Sequence, residues 1–90
     1  MYNLNIAPNA QRDIRKLRQR ASGQDFERLQ KAIMNLAEEP HPHSVKKIQG
    51  DERAFRIRVG NYRVIYDVYD KESIVLILRV VRRNETTYRT

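Results

Sequence analysis

Three arginines on either side of a tight turn are the residues whose type and spacing point most directly to chemistry. They lie in AFRIRVGNYRVIY, residues 54–66. A two-residue Gly60-Asn61 link between two strands fixes their pairing, so Arg58 is predicted to face Arg63, with Arg56 diagonal to Arg63 on the same face. The opposite face then carries the apolar side chains of Phe55, Ile57, Val59, Val64 and Tyr66.

This arrangement of arginines favours a ligand over a structural role. Like charges placed directly across a ladder destabilise the pair, by roughly 0.2 to 1 kcal/mol. Three guanidinium groups can instead hold a phosphate and stabilise the charge that grows on a phosphoryl group during reaction. The alternative is a solvated arginine face with Asp67 nearby as a partial counter-ion. For the three arginines together we favour the phosphate site.

The segments before this hairpin predict two helices. A short strand at Tyr2–Ile6 leads through Pro8 into a helix that ends at about Ala21. A second helix is predicted from about Asp25 to Ala37, because Glu38, Glu39 and Pro40 end the pattern. Each helix has a single apolar stripe. The two therefore form an antiparallel hairpin that needs a sheet to cover.

The rest of the chain supplies that sheet. Strands are predicted at about Val45–Gln49, Arg53–Val59, Tyr62–Tyr69 and Ser73–Arg82. The last strand contains the unbroken apolar run Ile74–Leu78, which is typical of a central strand covered on both faces. The expected fold class is α+β, with two N-terminal helices packed on a mainly antiparallel sheet of four to five strands. Residues 1–90 suit one domain.

Composition narrows the range of functions. The chain has 18 Lys and Arg against 11 Asp and Glu, a formal net charge of +7. This excess favours a polyanionic partner, although an acidic protein partner or solubility alone would also account for it. There is no cysteine, which excludes disulfides, thiolate metal sites and a cysteine nucleophile. The N-terminus does not resemble a secretion signal and no apolar run suits a membrane span, so we expect a cytoplasmic protein.

His41 and His43 are the candidates for metal binding or general base catalysis. They are two residues apart and lie beside prolines in an extended segment. With no third ligand nearby in the sequence, exposed loop histidines are the better interpretation, and no metal site is expected.

Over essentially the whole chain the sequence resembles RelE-type toxins of the RelE/ParE toxin–antitoxin superfamily. The resemblance rests on FRIRVGNYRVIY, on VKKIQG and on the closing VVRRNETTYR. It implies a RelE-like fold, a RelB-like acidic antitoxin, and cleavage of messenger RNA in the ribosomal A site. The implied reaction is attack by a ribose 2′-hydroxyl on the adjacent phosphate, with no metal or other cofactor. Operator DNA would be bound only through the antitoxin complex.

The resemblance also implies roles for particular residues. Arg56, Arg58 and Arg63 would position the phosphate, and Arg83 would stabilise charge on the leaving side or act as an acid. Tyr88 would stack on a nucleobase, or else rest on the sheet edge. Arginine holds its proton too tightly to be a good base, so the general base is not assigned.

Six further cations are candidates for RNA contacts. Those on the first helix could grip an RNA backbone, although such a run is more often a solvated face. The six are Arg12, Arg15, Lys16, Lys46, Lys47 and Arg82. Arg82 stands where many relatives have histidine.

Two rival functions remain open. ParE-type toxins share the fold implied by the resemblance but poison DNA gyrase instead of cutting RNA. The presence of four arginines together argues for the nuclease, because a protein that binds gyrase does not need an arginine cluster the size of a phosphate site. The four are Arg56, Arg58, Arg63 and Arg83. A degenerate toxin that binds only its antitoxin and operator DNA is the other alternative.

Overall fold

The computed structural model describes residues 1–42, 45–48, 50 and 53–82. Within these residues five strands form one sheet in the order β1-β5-β4-β3-β2. The pairing is antiparallel except between β1 and β5, which run parallel. The elements are β1 (Asn3–Ile6), α1 (Pro8–Arg20), α2 (Gly23–Asn35), β2 (Lys46–Lys47), β3 (Ala54–Val59), β4 (Tyr62–Tyr69) and β5 (Ile74–Arg82). The predicted α+β class, with two helices on a mainly antiparallel sheet, is confirmed.

The helix boundaries correct the prediction for α2. Its first helical residue is Gly23, two residues before the predicted start, because the Ser22 hydroxyl accepts a hydrogen bond from the Asp25 amide at 3.1 Å and caps the helix. It ends at Asn35, since the next residues form a tight turn in which the Leu36 amide donates to Ile33. α1 begins at Pro8 as predicted and ends at Arg20.

The strands match the prediction within one residue, apart from β2. Tyr62–Tyr69 is a strand over its whole predicted length. β2 contains only Lys46 and Lys47, where Val45–Gln49 was predicted, and it pairs only with Phe55 and Arg56. Among the described residues, the short β2 leaves the rest of β3 without a paired strand on the side away from β4.

The helices cover one face of the sheet and bury the side chains that were predicted to face them. Ile57, Val59, Val64 and Tyr66 belong to one apolar core together with residues of both helices. Tyr66 is fully buried, and its hydroxyl donates to the Pro40 carbonyl at 2.8 Å. Burial raises the pKa of this phenol, and the Glu39 charge adds to the effect.

The other face of the sheet carries a second, smaller apolar cluster. It consists of Ile48, Ala54, Ile65 and Val81, with Leu78 packed against it. β5 lies between β1 and β4, as its apolar sequence predicted, and it contributes to both clusters. In the described part of the chain, neither helix has the length and apolar character needed to cross a lipid bilayer.

Candidate functional site

The β3–β4 hairpin brings the three arginines to the predicted positions. Arg58 pairs with Arg63, and Arg56 pairs with Ile65. Gly60 has a φ of 58° and Asn61 does not have a positive φ, the sign pattern of a type II′ turn, which needs glycine at its first central position. Because directly paired residues share a face, all three guanidinium groups project from the sheet face opposite the helices.

Lys46 extends this basic face across one more strand. It pairs with Arg56 and therefore points to the same side of the sheet. Lys47 pairs with Phe55 and belongs to the other side. The basic face is thus formed by four side chains on three neighbouring strands: Lys46, Arg56, Arg58 and Arg63. Two of the candidates that the sequence placed in different groups, Lys46 and Arg56, are direct neighbours.

The cations of the basic face are not neutralised by ion pairs among the described residues. None of its four cations forms an ion pair with another residue of 1–42, 45–48, 50 or 53–82. The Nε of Arg63 is buried and has no hydrogen-bond acceptor within that part of the chain. A buried donor left unsatisfied costs about 1 to 3 kcal/mol, and more when it is charged. An anion bound at this face would supply the missing acceptor.

A different arginine, Arg79 on β5, is held by an acceptor from α1. Its Nε donates to Asp13 Oδ2 at 2.7 Å and its Nη2 donates to Oδ1 at 3.2 Å. Oδ2 also accepts the Val80 amide at 2.9 Å. β1 pairs with β5 only as far as Ile77, so the carboxylate caps part of the strand edge that β1 leaves open.

Sequence reasoning missed this contact, although a signal was present. Arg79 follows five apolar residues in β5, and a charge inside an apolar strand requires a partner. Asp13 is the sole acidic residue of α1. Because α1 packs against β5 and carries this single acid, Asp13 could have been identified as the partner of Arg79.

A β-bulge in β5 decides which way its last residues face. Ile65 pairs with Arg79 whereas Tyr66 pairs with Ile77, so Leu78 is the extra residue. Leu78 packs in the outer cluster, and the Arg79 side chain next to it reaches Asp13 of α1.

Beyond the bulge, Arg82 pairs with Tyr62, which belongs to the core under the helices. Arg82 therefore lies on the helix side of the sheet, not on the basic face, and Lys16 of α1 lies there with it. The predicted grouping of Arg82 with the other RNA-binding candidates thus spans both sides of the sheet.

The remaining candidates are spread over other surfaces. Arg12 and Arg15 are exposed on α1, and the Arg12 guanidinium donates to Asn9 at 3.1 Å. Arg83 and Tyr88 lie outside the described residues, so their predicted roles remain predictions.

The histidine segment contains no metal site in the part that the structure describes. His41 is exposed, its ring packs edge-on against Phe55, and its Nε2 lies 4.0 Å from Asp70 Oδ1. No group of three potential ligands for a metal ion occurs among the described residues. His43 falls outside them.

An apolar groove of about 570 Å³ runs between α2 and the free part of β3. Ala32 and Leu36 form one wall, and Ile57 and Val59 form the other. The charged residues in its lining are mixed in sign: Arg28, Glu38, Glu39 and Arg58. A strand edge beside an apolar groove is suited to binding a peptide segment.

Comparisons with known proteins match nearly the full length of this chain to toxins. A profile of the family described as "ParE toxin of type II toxin-antitoxin system, parDE" matches residues 4–87. RelE1 of Methanocaldococcus jannaschii, named as a candidate toxin, is 25% identical over 85 residues, which are 91% of this chain and 90% of that protein.

Two solved complexes contain chains of the same fold. A chain of the archaeal RelE–RelB complex from Pyrococcus horikoshii OT3 has a TM-score of 0.76 at 27% identity, over 94% of this chain and 98% of that one. A chain of the toxin–antitoxin complex RelBE2 from Mycobacterium tuberculosis has a TM-score of 0.73 at 28% identity, over 91% of this chain and 98% of that one.

Proposed function

Since this chain belongs to the ParE toxin family of type II toxin–antitoxin systems, we propose that it acts as a RelE-type endoribonuclease that cleaves messenger RNA on the ribosome. Its identification as a toxin of the RelE/ParE superfamily is confirmed by the family match and by the similar RelE chains. The observation that carries the nuclease proposal is the basic face, where Lys46, Arg56 and Arg58 share one side of the sheet with Arg63, whose buried Nε has no acceptor among the described residues.

The chemistry proposed for this face is cleavage by the substrate's own ribose. The 2′-hydroxyl gives its proton to a base and its oxygen attacks the adjacent phosphorus. The bond to the 5′-oxygen breaks and that oxygen takes up a proton from water, so that a 2′,3′-cyclic phosphate and a 5′-hydroxyl result. Negative charge grows on the non-bridging oxygens as the phosphorane forms, and Arg58 and Arg63 stabilise it by donating hydrogen bonds. Arg56 positions the phosphate, Arg83 acts on the leaving side, and Tyr88 stacks on a nucleobase. No metal ion or other cofactor takes part.

Lys46 is our candidate for the general base, a role that the arginines cannot fill. Guanidinium groups stay protonated in proteins, whereas lysine as a residue type can lose its proton and act as a base. On the basic face, Lys46 is the lysine, and it stands directly beside Arg56. We therefore propose that Lys46 removes the 2′-hydroxyl proton, a step that it enters as the unprotonated amine and leaves as a cation.

The proposed partners follow from charge and from the similar proteins. The solved P. horikoshii and M. tuberculosis structures are toxin–antitoxin complexes, so we propose an acidic antitoxin for this chain, which has a net charge of +7. The apolar groove beside β3 is a surface on which such an antitoxin segment can lie. Messenger RNA is the substrate and the ribosome is the partner on which it is cut. Operator DNA is bound through the antitoxin complex, and the cytoplasm is the site of action.

Gyrase poisoning is the second candidate function, and one observation favours it. The matching family profile is named for ParE rather than RelE. The basic face argues against this candidate, because a protein that binds gyrase does not need a phosphate site made of four cations.

One experiment separates the two candidates. Purified chain is added to ribosomes that translate a defined messenger RNA, and cleavage is read by primer extension. The same preparations are assayed for inhibition of gyrase supercoiling. We expect cleavage by the natural chain and a loss of at least 100-fold in Arg58→Gln/Arg63→Gln, since removing one stabilising donor costs about 10² to 10³ in rate.

The matched control is Lys31→Gln/Lys71→Gln. It removes the same charge from exposed positions on α2 and in the turn before β5. Full cleavage by this control together with loss in the arginine variant supports the proposal. Inhibition of supercoiling without any cleavage would replace it with the gyrase function.

A further inference from the structure

A second basic pocket lies on the helix side of the sheet. It has a volume of about 300 Å³ and is bounded by α1 and the end of β5. The charged part of its lining consists of one carboxylate and four cationic side chains: Asp13, Lys16, Arg20, Arg79 and Arg82.

The single carboxylate does not neutralise the pocket. Both oxygens of Asp13 accept hydrogen bonds from Arg79, and one of them also accepts the Val80 amide. Lys16, Arg20 and Arg82 are exposed, and none of them forms an ion pair within the described ranges. Three positive charges therefore surround a concave space that contains no available counter-charge from those ranges, and such a space attracts an anion.

The pocket lies at the same end of the sheet as Arg58 and Arg63. Arg82 pairs with Tyr62, the residue before Arg63 on β4. Because successive residues of a strand point to opposite faces, Arg63 and Arg82 reach this end of the sheet from its two sides. A single nucleic-acid strand that crosses the end of β4 and β5 can contact both.

We propose that this pocket is a second phosphate site, which binds another backbone phosphate of the RNA strand held at the basic face. Lys16 and Arg20 bind the phosphate from α1, and Arg82 binds it from β5. The proposal rests on the proposed ribonuclease function, because it assumes RNA as the ligand. The pocket fixes the direction in which the strand leaves the reaction site, and it takes no part in the chemical step.

The test measures binding separately from cleavage. The probe is a single-stranded RNA of about eight nucleotides, a length within the range that single-stranded binding sites cover, with 2′-O-methyl riboses that block attack by the 2′-oxygen. A dinucleotide of the same chemistry, which carries one phosphate, can reach one site only. Dissociation constants are measured over a series of salt concentrations for the natural chain and for Lys16→Gln/Arg20→Gln. The control is again Lys31→Gln/Lys71→Gln.

We expect Lys16→Gln/Arg20→Gln to reduce the slope of log K against log salt by up to about 0.7 for the longer RNA, the value for one phosphate contact on a single strand. The same slope gives a loss of affinity of up to about 5-fold at 0.1 M salt. Binding of the dinucleotide should not change. Thermal unfolding of each variant checks that it is folded.

The outcomes separate this proposal from the cleavage function. If Lys16→Gln/Arg20→Gln binds the longer RNA like the control, the two cations only balance the C-terminal end of α1 and the second site is rejected. An equal loss for the dinucleotide would also reject it, because the pocket would then not be separate from the basic face. A loss confined to the longer RNA supports the second site even if Arg58→Gln/Arg63→Gln retains full cleavage, a result that would overturn only the catalytic assignment.

Discussion

Arg79 and Arg63 lie on neighbouring strands and have opposite surroundings. Arg79 donates two hydrogen bonds to Asp13, which also holds a backbone amide of β5. Arg63 faces another arginine, and its buried Nε has no acceptor among the described residues. The fold thus provides an acceptor for Arg79, where an arginine joins α1 to the sheet, and none for the Arg63 Nε within the described residues. This difference is the basis for the proposal that a ligand binds at the basic face.

The largest expected effect concerns the one lysine of the basic face. Lys46→Arg keeps the positive charge beside Arg56 but removes a group that can give up its proton. We expect cleavage on the ribosome to fall by about 10² to 10⁴-fold, the usual contribution of a general base. RNA affinity should change little. If Lys46→Arg cleaves at the natural rate, the face contributes charge alone and the base comes from elsewhere.

Breaking the ion pair between Asp13 and Arg79 should lower the free energy of unfolding. Asp13→Ala leaves Arg79 partly buried without its carboxylate, and removing one partner of a buried pair costs about 3 to 5 kcal/mol. Since the Arg79 side chain is 28% exposed, we expect the lower end of that range. Urea denaturation measures the free energy of unfolding. Asp13→Leu/Arg79→Met, which removes both charges, should recover much of the loss, and an equally unstable double variant would show that the charges are not the cause.

The buried hydroxyl of Tyr66 predicts how the free energy of unfolding depends on pH. Burial raises the pKa of Tyr66 in the folded chain, while the unfolded chain loses this proton near pH 10. The unfolded state therefore binds fewer protons than the folded state above pH 10. The stabilisation is fully present below that pH, and it falls by about 1.4 kcal/mol per pH unit as the pH rises further.

Denaturation of Tyr66→Phe between pH 8 and 11 tests this, because the variant should lose the extra slope. Tyr2→Phe is the control. The pKa of Tyr2 is raised by the hydrogen bond that it donates to Asp70, but Tyr2 lies near the surface and its effect should be smaller. An unchanged slope in Tyr66→Phe would contradict the assignment.

The smallest expected effect has the opposite sign. Arg63→Met removes a buried donor that lacks a described acceptor, together with its repulsion from Arg58. Cross-strand charge repulsion amounts to roughly 0.2 to 1 kcal/mol, so we expect the free energy of unfolding to stay the same or to rise by up to that amount. A clear loss of stability on urea denaturation would mean that Arg63 has a structural partner.

The sequence sufficed for the features that local rules determine. The Gly60-Asn61 turn is enough to predict the pairing of Arg58 with Arg63. The sequence did not indicate that Ser22 caps α2, because the apolar pattern of that helix begins later. Nor did it indicate that β2 is only two residues long, because pairing of an edge strand depends on the path of the chain around it.

The bulge in β5 is the feature that the sequence did not predict and that most affects where the candidate site residues lie. A single extra residue, Leu78, changes the side to which each later residue points. Nothing in an apolar run shows where such a residue is inserted. The bulge places Arg82 on the helix side of the sheet with Lys16, whereas Lys46 of the same predicted group lies on the basic face. The contact between Asp13 and Arg79 was not predicted.

The account is tested most directly by measuring cleavage and stability together in Arg63→Gln and Arg79→Gln. Primer extension on translated messenger RNA gives the cleavage rate, and urea denaturation of the same preparations gives the free energy of unfolding. We predict that Arg63→Gln loses about 10² to 10³ in rate at unchanged stability, and that Arg79→Gln loses stability as a buried pair does. Full cleavage by a folded Arg63→Gln chain would contradict the claim that the unpartnered arginines bind the phosphate.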